Sequence, residues 1–440
     1  MNQKIAILSD PHFHDPEFAG LTRQGDGLFV RTLADTVAST RVFNESSAAL
    51  RTALDDIAAR GITIVVIVGD LTDDGQAANW LTLDVILSYY ADRHGMRFYA
   101  TPGNHDQFGP EGKHQAKRAL NADGSFDLIS SSNSIVDPKA RTHVVEPGMY
   151  CLGYADAIGR NNVPLGYRRA RWDLHWETPF GLSEDLADRQ VEITSEDGAH
   201  MARVIDASYL AEPVDGLWLL SLDANVYVPN VDGTSFSDRN QVGWNAAIRY
   251  KPYLLEWAAD VVRRAREQGK RLLTFSHYPV TDISELTLAE EKVLRRGKAE
   301  DQRRMPNKEV SDAFLASGLP IHFSGHWHIN ATGRYSDGKR AIVNVAVPSM
   351  VALPAAYKIV SFSGDRLDIE TVSIRNASGF DVAFPRYRRE AERNDSSPGE
   401  LARSESLDRF LDLHQANLAS VRYLPREWPD TFDLMVGHFD

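Results

Sequence analysis

Five short apolar runs in this chain each end in residues that bind hard or borderline cations, and that recurrence constrains the fold more than any other feature. Ile5-Ala6-Ile7-Leu8 runs into Ser9-Asp10-Pro11-His12, and residues 62–68 run into Gly69-Asp70. Arg97-Phe98-Tyr99-Ala100 leads to Gly103-Asn104-His105-Asp106, Leu272-Leu273-Thr274-Phe275 to Ser276-His277, and Leu319-Pro320-Ile321-His322-Phe323 to Gly325-His326-Trp327-His328. Apolar runs of this length between glycines and turn residues read as buried strands. Helical patterns separate the first three. Ala49, Leu50, Ala53, Leu54, Ile57 and Ala58 recur at i, i+3, i+4 before Gly61, and residues 80–90 carry a second pattern closed by His94-Gly95. Strand, helix, strand in alternation predicts an α/β fold, and in such sheets ligand groups gather in the crevice beyond the C-terminal strand ends.

The residue types at those ends define a chemistry. Asp10, His12, Asp70, Asn104, His277, His326 and His328 offer two carboxylates, an amide and four imidazoles, too many for one tetrahedral ion. Two metal ions are expected. If one carboxylate bridges them, ions about 3.5–4 Å apart can lower the pKa of a shared water toward roughly 7. Two divalent ions against two carboxylates and a hydroxide leave a positive pocket, which suits a phosphate ester. Asn104 and His105 are neighbours leaving a strand, so they point apart. Asn104 is assigned to metal and His105 to the substrate, as general acid for the leaving oxygen.

The rest of the chain sets limits. At 440 residues and net charge -13, its acidic surface disfavours broad contact with nucleic acid or anionic membranes. The single cysteine, Cys151, excludes an intramolecular disulfide and a thiolate metal cluster. Met1 to Lys4 run straight into the first strand with no apolar stretch of membrane-spanning length anywhere, so a cytoplasmic protein is expected. Residues 107–215 lack the strand-to-ligand signature and read as an inserted cap, in which Tyr150, Tyr154, Arg168, Arg169, Arg171, Trp172, His175 and Trp176 are either a roof over the site or ordinary packing and surface residues of a subdomain. Residues 217–222, 272–275, 341–347, 357–362 and 367–373 read as strands, and 254–265 as a helix. Leu407, Phe410, Leu411, His414 and Leu418 mark a terminal helix in a 376–440 extension expected to pack on the body rather than act. Other histidines, His14, His322, His414 and His438 among them, read as structural, and Tyr278 as a loop-shaping residue within reach of substrate.

Asp-x-His, Gly-Asp, Gly-Asn-His-Asp, a lone His and Gly-His-x-His, in that order from Asp10 to His328, resemble the signature of the calcineurin-like metallophosphoesterase superfamily. The resemblance covers residues 1–106 and 216–375 as a core. It implies two facing mixed β-sheets flanked by helices, a four-layer sandwich, and two ions of manganese, iron or zinc. One ion would take Asp10, His12, Asp70 and His328, the other Asp70, Asn104, His277 and His326, with Asp70 bridging. Protein serine/threonine phosphatases carry an Arg where Asp74 stands and a Glu where Asp106 stands. Gly69-Asp70-Leu71-Thr72-Asp73-Asp74-Gly75 is instead similar to bacterial phosphodiesterases of the cyclic-nucleotide and glycerophosphodiester type. Asp73 occupies the position from which family members orient the catalytic histidine, which implies an Asp73–His105 pair. The expected activity is therefore hydrolysis of small phosphodiesters such as cyclic nucleotides. The alternatives are a phosphomonoesterase or nucleotidase and, from another class, a catalytically idle metal-binding scaffold. Nothing in the sequence reads out an oligomeric state.

Overall fold

A computed structural model describes residues 3–18, 27–159, 161–238, 242–284, 287–295, 301–364, 366–394 and 400–428. Each apolar run forms a strand, and the strands sort into two large mixed sheets. The five-stranded sheet has the order Arg366–Ser373, Ala356–Ser363, Lys4–Leu8, Ile64–Ile67, Arg97–Ala100. Its last three members run parallel, with Ile5 opposite Ile64 and Ile64 opposite Arg97. The seven-stranded sheet has the order His175–Glu177, Tyr209–Val214, Leu217–Ser221, Arg271–Phe275, Ile321–Ser324, Ala341–Ala346, Ala331–Ser336. Strands 217–221, 271–275, 321–324 and 341–346 are parallel to their neighbours among these four, and the others pair antiparallel.

Period-two alternation shows how the sheets stack. In strand Leu217–Ser221, Leu217 and Leu219 join the core that also holds Ile5, Ile7, Val66 and Phe98 of the other sheet. Trp218 and Leu220 turn the opposite way, onto Leu254, Ala258, Val261 and Val262 of helix Tyr253–Glu267. The five-stranded sheet is covered on its far side by helices Ser46–Ala59 and Ala77–His94, whose Leu50, Leu54, Ile57, Leu83 and Leu87 belong to the shared core. The result is helices, sheet, sheet, helices. Ile64–Ile67 is buried at every position, as a parallel strand covered on both faces must be. Polar ties cross between the sheets: the Tyr209 hydroxyl donates to the Ala100 carbonyl at 2.9 Å and Arg97 Nη1 to the Pro213 carbonyl at 2.7 Å.

The stretch 107–215 divides. Strands Ala116–Leu120, Phe126–Ser130 and His143–Val145 form a separate sheet with Val30–Arg31, whereas residues 175–177 and 209–214 extend the seven-stranded sheet. The aromatic and basic cluster expected there as a roof divides, with Arg169 and Arg171 exposed and two aromatics turned inward. Trp176 and Tyr154 are buried, with Trp176 Nε1 donating to the Gly166 carbonyl and the Tyr154 hydroxyl to Asp223. Trp172 donates to the Tyr99 hydroxyl and lies under Arg97. For Tyr154 and Trp176, packing in the main core won over site exposure.

Helices Phe384–Arg393 and Leu407–Leu418 pack through Phe384, Tyr387, Leu407, Phe410 and Leu411 into the same main core. Among the described residues, no helix is long and apolar enough to cross a membrane.

Candidate metal centre

All five parallel strand ends deliver their polar residues to one place, and the backbone there is strained. Seven non-glycine residues among those described have positive φ, and five of them are Asp10, His12, Asp70, His326 and His328. A left-handed conformation costs an L-residue on the order of 1–2 kcal/mol, so it persists only where surrounding structure imposes it, typically at functional sites. Here the imposition is visible. The backbone N–H groups of Asp10 and His12 donate to the Gly69 and Asp70 carbonyls at 3.2 and 2.9 Å, and Gly325 donates to His277 at 2.9 Å. Each ligand loop is thereby tied to the next.

Two donor sets result, sharing one residue. In the first, Asp10, His12, Asp70 and His328 each present a ligand atom within 4.8 Å of the other three. His12 Nε2 and His328 Nε2 face each other at 3.0 Å, and His328 Nε2 lies 3.4 Å from Asp10 Oδ1. In the second, His277 Nε2 lies 3.3 Å from Asp70 Oδ2, 3.2 Å from Asn104 Oδ1 and 3.2 Å from His326 Nδ1. Asp70 Oδ2 also stands 3.5 Å from His12 Nε2, so one carboxylate oxygen faces both sets. Its other oxygen accepts from the His105 backbone N–H at 2.8 Å.

The donors fit divalent ions. Nitrogens about 2.0–2.1 Å from a common ion sit about 3 Å apart, the His12–His328 spacing. His277 Nδ1 donates to the Val68 carbonyl at 2.9 Å, which turns Nε2 inward. Burial first, then the Arg41 charge, holds His12 well below the usual histidine range; burial and His277 do the same for His326. Both are therefore neutral, as ligation requires. Burial lowers His277 too, but Asp70 and Asp10 more than reverse it and push it up to about 9. The carboxylates draw positive charge to this point.

Close approach forces glycine at two neighbours. A Cβ on Gly325 would sit 2.5 Å from Asp10 Oδ2, and one on Gly103 would collide with Asp70 Oδ1 and its backbone nitrogen. The ligands are steadied from outside as well. The Ser9 hydroxyl donates to Asp10 Oδ2, and the His326 N–H donates to Asp10 at 3.1 and 3.2 Å. Tyr278, read from the sequence as loop-shaping, is fully buried; its ring packs on His277 and His326 and its hydroxyl donates to Asn225 at 3.0 Å.

Asn104 and His105 diverge. Asn104 turns to His277, and His105 Nδ1 donates to Asp74 Oδ1 at 2.6 Å, its ring lying 5.1 Å from that of His12. This corrects the sequence reading, which paired His105 with Asp73. Asp73 faces away, with Oδ2 accepting from Arg31 Nη1 at 2.8 Å and Oδ1 from Arg41 Nη2 at 3.1 Å. The physical reason is competition: the buried Arg31 and Arg41 guanidinium groups and the Gln76 amide draw both oxygens of Asp73 to themselves. Asp74 is not a bare charge either. Burial raises its pKa, but Lys117, His105 and Arg41 together hold it well below the usual carboxylate range. Arg41 Nη2 stands 3.5 Å from Asp74 Oδ1 and 3.3 Å from His105 Nδ1.

Asp74, Arg31, Arg41 and Lys117 were not singled out from sequence as site residues. A signal existed only for Asp74, which adjoins a motif residue. Of the histidines read as structural, His14 bonds the Phe29 carbonyl, His322 sits between Asn344 and Ser276, and His414 bonds the Thr36 carbonyl. His438 lies outside the described residues.

A family model described as calcineurin-like phosphoesterase matches residues 3–330. Among solved structures, the crystal structure of a dimetal phosphatase from Danio rerio is similar at 14% sequence identity, with 84% of this chain and 95% of that one covered and a TM-score of 0.45. None of the curated proteins matches the chain.

Proposed function

Because the chain belongs to the calcineurin-like phosphoesterase family, we propose that it is a dinuclear metal-dependent phosphodiesterase acting on small phosphate diesters. The observation that carries this reading is the convergence of seven N and O donors from five strand ends onto two sets that share Asp70 Oδ2. Asp10, His12, Asp70 and His328 would hold one ion, and Asp70, Asn104, His277 and His326 the other. Bound there, two such ions supply an acidified water and positive charge for the phosphoryl oxygens. Their identity, manganese, iron or zinc, is left open by an all-N,O donor set.

The chain's own part is proton transfer. Asp74 accepts from His105 Nδ1, so the imidazole is held in one orientation with Nε2 directed away from the carboxylate. His105 holds the proton there for the departing oxygen. The diester preference is supported by the charges around it. Arg31, Arg41 and Lys117 are all engaged by Asp73 and Asp74, which leaves no uncommitted cation among them for the second negative charge of a monoester. A diester brings only one.

The test is turnover of bis-p-nitrophenyl phosphate against p-nitrophenyl phosphate by protein supplemented with manganese, iron or zinc. Faster hydrolysis of the diester is expected. Turnover of the monoester alone overturns the diester reading, and no turnover of either with metal shown bound would leave a metal-binding scaffold.

A further inference from the structure

We propose that the C-terminal extension is a working part of this acid: Tyr387 and Glu390, on helix Phe384–Arg393, are positioning residues that hold the segment from which Arg31 and Arg41 keep Asp74 turned onto His105. Both lie beyond residues 3–330, the part matched by the family model. The inference rests on the reading of His105 as the proton donor.

The contacts form a continuous buried chain. Glu390 Oε2 and Oε1 accept from the backbone N–H groups of Leu33 and Ala34 at 2.6 and 3.2 Å, fixing the start of the five-residue helix Leu33–Val37. The Tyr387 hydroxyl accepts from Asn44 Nδ2 at 2.6 Å and contacts Thr36 Oγ1 at 3.2 Å. Asn44 in turn straps Arg31 at both ends of its backbone, accepting from its N–H at 2.8 Å and donating to its carbonyl at 3.1 Å. Arg31 then reaches Asp73, and Arg41 bonds both the Asp73 carboxylate and, at 2.8 Å, its carbonyl. Tyr387, Asn44, Arg31, Arg41 and Asp73 are all less than 9% exposed, so water does not substitute for a lost link.

The placement of the donors makes the coupling specific. Arg31 and the Gln76 amide on one oxygen and Arg41 on the other draw Asp73 to themselves, and Asp74 is the carboxylate of the pair that takes His105 Nδ1–H. If the clamp loosens, Arg31 withdraws, Asp73 competes for Arg41 and for the imidazole, and His105 loses its single orientation. Misplacement of a catalytic group by about 1 Å can cost on the order of 10²-fold. A purely structural role for the extension would slow every substrate alike; loss of acid positioning slows poor leaving groups most.

The experiment compares hydrolysis of diphenyl phosphate, with a poor leaving group, and bis-p-nitrophenyl phosphate, with a good one, by the full chain loaded with metal. Tyr387→Phe and Glu390→Gln are measured beside His105→Asn, with metal content determined for each. Both clamp variants are expected to slow diphenyl phosphate about tenfold more than bis-p-nitrophenyl phosphate, a fraction of the roughly 10²–10⁴-fold that a placed acid contributes. Metal content should be unchanged. Equal slowing of both substrates, or none, in a folded clamp variant overturns the inference. His105→Asn separates the two levels: if it discriminates between the substrates and the clamp variants do not, the clamp alone is wrong, and if it does not discriminate, the acid reading fails first. Should Tyr387→Phe not fold, the volume-conserving Glu390→Gln decides.

Discussion

Glu45 offers a measurement of how tightly this clamp region is closed. It lies at the start of helix Ser46–Ala59, fully buried, with Oε1 accepting from the Tyr387 hydroxyl at 3.4 Å and Oε2 without a partner among the described residues. Burial pushes its pKa from an ordinary 4.5 up to about 8, more than its backbone and Tyr387 hydrogen bonds can offset. The carboxyl is therefore neutral in the folded protein at pH 7 and ionised in the unfolded chain. For an acid whose folded pKa is raised, the associated stability is complete below about 4.5 and is lost as pH climbs toward about 8. Each pH unit in that window costs about 1.4 kcal/mol, so Glu45 should lower stability by on the order of 3 kcal/mol between pH 5 and pH 8. Glu45→Gln removes the titration while keeping the shape. Its extra amide hydrogens lack an obvious acceptor, so the absolute stability of the variant is less informative than its slope. Urea midpoints measured across this range should fall more steeply for the native chain than for Glu45→Gln, converging toward the acid end. Parallel curves would mean that Glu45 ionises as freely folded as unfolded, and that the pocket under Tyr387 is wet.

Two further perturbations address the centre itself. Asp74→Asn removes the carboxylate on His105 Nδ1 and should slow diphenyl phosphate by about 10²-fold with a much smaller effect on bis-p-nitrophenyl phosphate; equal slowing would return the pairing to Asp73. Gly103→Ala would drive a Cβ into Asp70 Oδ1, so metal content by elemental analysis should fall from two ions per chain while circular dichroism stays native; retention of both ions would show that Asp70 is not the shared ligand.

Most of the large sheets was legible because burial on both faces leaves a strand uniformly apolar. Residues 64–67 and 97–100 were bounded by a glycine on one side and cation ligands on the other, and the structure places their ends within a residue or two of that reading. Three strands of the seven-stranded sheet, His175–Glu177, Tyr209–Val214 and Ala331–Ser336, were omitted, and the second was assigned to the insertion although it pairs antiparallel with Leu217–Ser221. Its signal was present: Val214-Asp215-Gly216-Leu217 is an Asp-Gly turn between apolar segments, a hairpin signature. Glu212 and Pro213 broke the apolar run and masked it. Glu212 is buried yet paired with Lys270 at 2.6 Å, and the bulge beside Pro213 shifts the register. A buried ion pair to a residue 58 positions away leaves no local trace.

The candidate site divides along the same line. The seven proposed metal donors sit at strand ends, where direction of travel and residue type together limit what a side chain can reach, so each could be nominated from the sequence. The layer behind them obeys no such rule. Asp73 and Asp74 are adjacent on a loop, where alternation fixes nothing, and which one meets His105 depends on Arg31, Arg41 and Lys117. Those three come from a connecting segment and from a strand of the insertion, stretches whose pattern carries no period. The segment that carries Arg31 is held in turn through Leu33 and Asn44, which bond Glu390 and Tyr387 more than 340 positions later. A carboxylate pair thus presents the imidazole with two equivalent acceptors in sequence and one in the fold. The choice between them is made by whichever cations arrive first in space, and the extension that places those cations is therefore the element most able to tune the acid without touching a metal ligand.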